Sequence, residues 1–162
     1  GSSFVAFWEE MNMKTICKPG HPVPYSLHDM RVGSIALSGG QLTLGLDTGL
    51  VRIAEPCIQV KGRVVLTGVE SCEVWRLSPN GRYGKFSGKK QTWQKFSRKH
   101  PEFSCEVIDE LYGYNQVRYE GFLSLPGDEN LTEFCMSVYY TGELIYETDE
   151  PPRPAAEELT ES

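Results

Sequence analysis

The adjacent pair His28-Asp29 is the first place where residue types permit chemistry, because an imidazole beside a carboxylate can ligate a divalent metal for phosphoester hydrolysis. Such centres draw on several further His and Asp residues, and only His21 and His100 remain, in unlike contexts. A structural role is the better reading, with Asp29 accepting backbone N–H groups at a strand entrance and His28 packing beside it. Nucleophilic catalysis lacks parts as well: no Ser or Cys lies in a nucleophile elbow, and no base can be nominated. Gly39-Gly40 joins two extended runs instead of opening a helix, so it is no phosphate cradle. The expectation is a chain that is not an enzyme and has no catalytic residue, metal site or cofactor.

Cys17, Cys57, Cys72, Cys105 and Cys135 are odd in number and dispersed, with no C-x-x-C spacing. They read as reduced, mostly buried thiols of a cytoplasmic protein. Asn130-Leu131-Thr132 matches a glycosylation sequon that would be idle there. No apolar run is long enough to span a membrane. Gly1-Ser2-Ser3 reads as an expression scar or processed start, with a removed export signal as the lesser alternative.

Charge is more informative. The formal net charge of −6 argues against general nucleic-acid binding and favours a basic partner. Against that background Arg82, Lys85, Lys89, Lys90, Lys95, Arg98 and Lys99 fall together without an intervening acid, interleaved with Tyr83, Phe86, Trp93 and Phe96. Basic plus aromatic is the composition of a platform for single-stranded nucleic acid. The better reading is a solvated or protein-contacting face, because Trp93 and Phe96 share a helical side that packs on a sheet. The acidic residues Glu147, Asp149, Glu150, Glu157, Glu158 and Glu161 would meet this basic helix within the molecule or in a neighbour, in a salt-sensitive pairing. Candidate partner-binding residues are therefore Lys89, Lys90, Trp93, Lys95, Arg98, Lys99, Glu147, Asp149 and Glu150.

Those residues need a scaffold, and the stretch Met30 to Thr48 supplies its register. A Gly-Gly loop provides the positive φ of a primed turn, so Ser38 faces Gln41, Leu37 faces Leu42 and Ile35 faces Leu44. Thr43, Gly45 and Asp47 point the other way. Val32 and Met30 have the wrong parity to continue the apolar stripe unless Gly33-Ser34 absorbs a residue as a bulge.

Further strands are expected at Leu50 to Ile53, Cys57 to Val60, Arg63 to Thr67 and Val69 to Leu77, the last ended by Pro79-Asn80-Gly81. Phe103 to Leu111 follows, with Phe103, Cys105, Val107 and Leu111 on one face. Val117 to Leu125, the alternating Phe134, Met136, Val138 and Tyr140, and a return through Leu144 and Tyr146 complete the series. Phe4, Phe7, Trp8 and Met11 recur at helical spacing behind Ser3, and Trp93, Phe96 and His100 do so between Lys89 and Pro101. The fold expected is mainly β with a minor α component: an antiparallel sandwich or rolled sheet of hairpins, a short N-terminal helix and one helix near 89–100. Its 162 residues suit one domain over 1–148, followed by an acidic, Pro-rich tail over 149–162.

The run Tyr25-Ser26-Leu27-His28-Asp29-Met30-Arg31-Val32, with Ile35 to Leu44 after it, resembles the opening of small uncharacterised bacterial β-rich proteins. Some of those families look like the immunity proteins of polymorphic toxin and contact-dependent inhibition systems. Tyr119-Glu120-Gly121-Phe122 and the last strand pair echo them. The resemblance implies a cytosolic stoichiometric binder whose acidic surface suits a basic, toxin-like domain such as a nuclease. Two other functions compete: a small-ligand or carbohydrate-binding β-domain stacking on Trp75, Tyr112, Tyr114 and Tyr119, and single-stranded nucleic-acid binding through Arg82 to Lys99.

Overall fold

The computed structural model describes residues 13–79, 86–127 and 132–150. The helix expected at Phe4 to Met11, the turn at Asn80-Gly81, the start of the sequon at Asn130 and the tail beyond Glu150 lie outside the described residues.

Alternation of apolar and polar residues produces strands β1 (Met13–Cys17), β2 (Tyr25–Ser26), β3 (Met30–Ser38), β4 (Gln41–Leu46), β5 (Leu50–Arg52), β6 (Gln59–Val60), β7 (Gly62–Leu66), β8 (Val69–Pro79) and β9 (Phe86–Thr92). Helix α1 (Trp93–Lys99) follows, and then β10 (Ser104–Gly113), β11 (Gln116–Ser124), β12 (Thr132–Tyr140) and β13 (Leu144–Thr148). Ten strands form one antiparallel sheet in the order β1-β13-β7-β4-β3-β10-β11-β12-β8-β9, and β2-β5-β6 form a small second sheet.

Topology forces the large sheet to roll. Only Thr67 and Gly68 link β7 to β8, yet five strands lie between those two in the sheet order. A flat sheet would put them about 29 Å apart, from six interstrand spacings, whereas three Cα steps cover at most about 11 Å. The three residues Thr141 to Glu143 likewise carry the chain from β12 to β13, which are equally far apart in the order. Both links therefore meet at one corner. There the Thr67 N–H donates to Glu143 O (2.9 Å), Gly142 N–H to Thr67 O (3.1 Å), Thr141 N–H to Gly68 O (2.8 Å) and Val69 N–H to Gly40 O (2.8 Å). The roll is not closed into a barrel, and among the described residues β1 and β9 are its edges.

The first hairpin keeps its expected register. Ser38 pairs with Gln41, Leu37 with Leu42 and Ile35 with Leu44, and the register shifts between Val32 and Ser34 so that Val32 reaches Leu46. Gly39 and Gly40 take φ of 59° and 76°, as a primed turn requires. Leu42, Leu44 and Leu46 are buried with Val64, Leu66, Val117, Met136, Val138 and Tyr146 in one core. Burying each such side chain contributes about 1.5–3 kcal/mol. Tyr25, Leu27, Leu50 and Val60 bring the small sheet into that core, and Trp93 and Phe96 bring α1.

Two expectations need correction. The helix does not begin near Lys89: β9 runs through Lys89 and Lys90 to Thr92, held along β8 from Pro79↔Phe86 to Glu73↔Thr92. Cross-strand pairing overrides the helical preference of Lys and Gln there. Thr92 Oγ1 then accepts from Lys95 N–H (3.3 Å), capping a helix confined to Trp93–Lys99. Leu111 is the second case. A register shift between Val107 and Asp109 inserts Ile108 as a bulge, so inward parity passes to Glu110 and Tyr112, and Leu111 stands 52% exposed.

Candidate functional site

One face of the large sheet is core, and the opposite face carries several of the large apolar side chains that stay in water, as Ile53, Ile58 and Tyr114 do elsewhere. On β8, β12 and β11 the register aligns outward residues in rows: Leu77, Glu133 and Phe122; Trp75, Cys135 and Glu120; Glu73, Ser137 and Arg118. β9 extends the middle row with Lys90, and β10 adds Asp109 opposite Glu120 and Leu111 opposite Arg118. Leu77, Phe122, Leu111 and Tyr139 are between 37% and 52% exposed. Leu77 and Phe122 share one end of this face, and Leu111 and Tyr139 lie towards the other.

The centre of this face is preorganised. Lys90 Nζ lies 5.2 Å and Arg118 Cζ 5.8 Å from the centroid of the Trp75 ring, so the indole is flanked by two cations. Glu73 pairs with Lys90 at 3.1 Å and Glu120 with Arg118 at 3.8 Å. Beside it the Ile108 bulge opens a cleft of about 310 Å³, walled by Leu77, Ile108 and Phe122 and by the carboxylates of Asp109, Glu120 and Glu133. Its lining contains no basic residue. A Cβ on Gly121 would collide with Glu106 O, so only glycine lets β11 press against the bulge.

The other residues singled out from the sequence are scattered. Lys95, Arg98 and Lys99 are exposed on α1, and Trp93 is buried beneath it against Phe96 and Phe103. With Trp93 and Phe96 in the core, α1 offers neither ring for base stacking. Lys89 sits in β9 opposite Arg76. Glu147 pairs with Arg63 at 2.7 Å, and Asp149 Oδ1 accepts from Lys61 N–H. Seven strands separate β13 from β9 in the sheet order, and the described acids at the end of the chain engage Arg63, Lys61 and Arg52.

Glu150 is a structural residue, 6% exposed. It forms a buried ion pair with Arg52 and accepts from Tyr25 OH at 2.5 Å. A second, half-buried network joins the small sheet to the large one: Glu110 accepts from Ser26 Oγ (3.0 Å) and Tyr112 OH (2.6 Å), and Tyr146 OH donates to Tyr112 OH (3.4 Å). Burial raises the Tyr112 and Tyr146 hydroxyls well above the ordinary tyrosine range; at Tyr112 the neighbouring phenols and Glu110 add to it, whereas at Tyr146 the hydrogen bond to Tyr112 works against it. Tyr119, in the core, is raised mainly by burial.

His28 and Asp29 are both 61% exposed, and their side chains pair at 3.0 Å. Asp29 takes φ of 61° in a turn closed by Met30 N–H donating to Leu27 O, and its own N–H donates to Val107 O (2.7 Å). The side chains that accept backbone N–H groups here are Ser26, from His28, and Thr48, from Arg31. All five cysteines are free. Cys72 and Cys105 are buried, Cys17 and Cys135 half-buried and Cys57 exposed.

No helix among the described residues is long and apolar enough to cross a membrane. The outer face was not legible from sequence, since Trp75, Asp109, Glu120 and Glu133 become neighbours only through strand order. No protein-family model, curated protein or solved structure matches the chain.

Proposed function

We propose that the chain is a non-enzymatic protein-binding module whose outer sheet face, built from β8, β12 and β11, holds a basic protein domain. The observation that carries this reading is the combination on one face of exposed Leu77, Phe122 and Leu111 with the acid-lined cleft. Apolar anchors ringed by charge are the anatomy of a protein interface, and aromatic residues near the centre supply most of its energy. Lys90 and Arg118 are already paired, whereas Asp109 and Glu133 have no ion pair among the described residues. The surplus is negative, so the complementary surface is positive and association is steered by charge. Stoichiometric neutralisation of a toxin-like domain, the role of immunity proteins, agrees with this polarity.

The test is affinity capture from the source organism with wild-type protein and with the Leu77→Asp, Phe122→Asp double variant, followed by mass spectrometry and calorimetry on the purified pair. A basic protein held by the wild type and lost by the variant is the expected result. Equal retention by both, or no specific partner, overturns the reading.

A further inference from the structure

At the opposite end of the β10–β11 hairpin from the acidic cleft lies a second concavity of about 390 Å³, of the size that holds small molecules. One wall is the loop from Lys18 to Val23, kept in shape by two prolines and by His21 N–H donating to Lys18 O (3.1 Å). The other walls are Tyr112 and Tyr114, from the end of β10 and its turn, and Tyr140 from β12. The Tyr112 hydroxyl is committed inward to Glu110, which fixes that ring in place.

Tyr114 is 79% exposed, the most exposed of the large hydrophobic residues, and Asn115 at φ 60° shapes the tight turn that presents it at the rim. The charges here invert those of the outer face. Lys18 and His21 are the basic residues of the lining, and it contains no Asp or Glu, in a chain of net charge −6.

We infer that this cleft binds a small anion carrying a flat ring, with the ring stacked on tyrosine and the anionic group at Lys18. A rigid aromatic wall binds a ring at little entropic cost. A basic edge with no acid beside it in the lining concentrates anions there in a protein of net negative charge. The site shares no lining residue with the outer face, so its failure leaves the protein-binding reading untouched.

Benzoate, benzyl alcohol and acetate separate the two requirements, each titrated into isotopically labelled protein and followed by two-dimensional NMR. Benzoate should saturate with a Kd of about 1 mM, shifting the amides of residues 18–23 and 112–116. Benzyl alcohol and acetate should bind at least about tenfold more weakly. Tyr114→Ala should weaken benzoate by about tenfold, and Lys18→Ala should weaken benzoate while leaving benzyl alcohol unchanged. Both side chains are exposed, so neither variant unfolds the protein. Absence of saturable shifts up to about 10 mM benzoate overturns the proposal, as do shifts elsewhere on the molecule. Equal binding of either control ligand, or insensitivity to both substitutions, overturns it too.

Discussion

A methyl group added to Gly68 would stand 2.7 Å from the backbone nitrogen of Gly142, closer than a real side chain tolerates. The two glycines mark the crossing of the links that roll the sheet, and Gly68 has φ of 63° as well. Gly68→Ala therefore adds a backbone clash to left-handed strain and should cost about 3 kcal/mol. Gly39→Ala, at φ 59° with nothing nearby, should cost only the strain, about 1 kcal/mol. Urea denaturation of the two variants checks this, and equal midpoints would show that the corner yields.

Removing one member of the Arg52–Glu150 pair leaves an uncompensated charge, because the two side chains are only 13% and 4% exposed. Glu150→Ala should destabilise by about 3 kcal/mol. Tyr25→Phe, which deletes one hydrogen bond to the same carboxylate, should cost about 1–2 kcal/mol. Thermal melts of both variants test the order, and a neutral Glu150→Ala would place that carboxylate outside the packed body.

Burial, with Glu73 as a smaller contributor, pushes the Cys72 thiol up to about 12, and burial alone does the same to Cys105. The fold thus favours the protonated thiols. Their contribution to stability is complete below the unfolded value of 9.0 and is lost as pH rises from there towards 12. The denaturation midpoint should fall across that window, and Cys72→Ala with Cys105→Ala should lessen the decline after correction for the cavities they leave, the remainder above pH 10 belonging to the buried phenols of Tyr112, Tyr119 and Tyr146. In the native protein at neutral pH, iodoacetamide should label exposed Cys57 and leave both buried thiols intact, which peptide mapping reads directly.

Thr92→Ala should cost about 1 kcal/mol by removing the acceptor for Lys95 N–H. Gln91→Ala, one residue earlier in β9, deletes no cap and should not uncouple α1. Amide exchange at Phe96 and Ser97 distinguishes the two, with faster exchange expected only in the Thr92 variant.

The Thr92 boundary illustrates what local sequence carries. Met30 to Thr48 was readable to the residue because Gly39-Gly40 sets the register and Gly33-Ser34 is soft enough to absorb the phase error. The bulge at Ile108 has no such marker: Val107-Ile108 continues an apolar run, and only pairing with Gly121 and Glu120 displaces it. That one residue decides that Leu111 faces water and that the acid-lined cleft exists. Lys89 and Lys90 looked helical because nothing local reveals that β8 waits beside them. Rolled rather than sandwiched geometry follows from strand order, which sequence does not state. Tyr112 and Tyr114 do share a cleft, but Tyr119 is core and Trp75 lies on the outer face between two cations.

Among the described residues the edge strand β1 pairs with β13 alone, with Met13 opposite Thr148. That pairing closes almost the whole described chain into one loop, and in synthesis β13 follows every other described strand. During translation, Ile16 and the backbone of β1 wait unpaired until residue 148 has cleared the ribosome, so the sheet is completed only after most of the chain is available. β1 gains its partner only after every other described strand has been made.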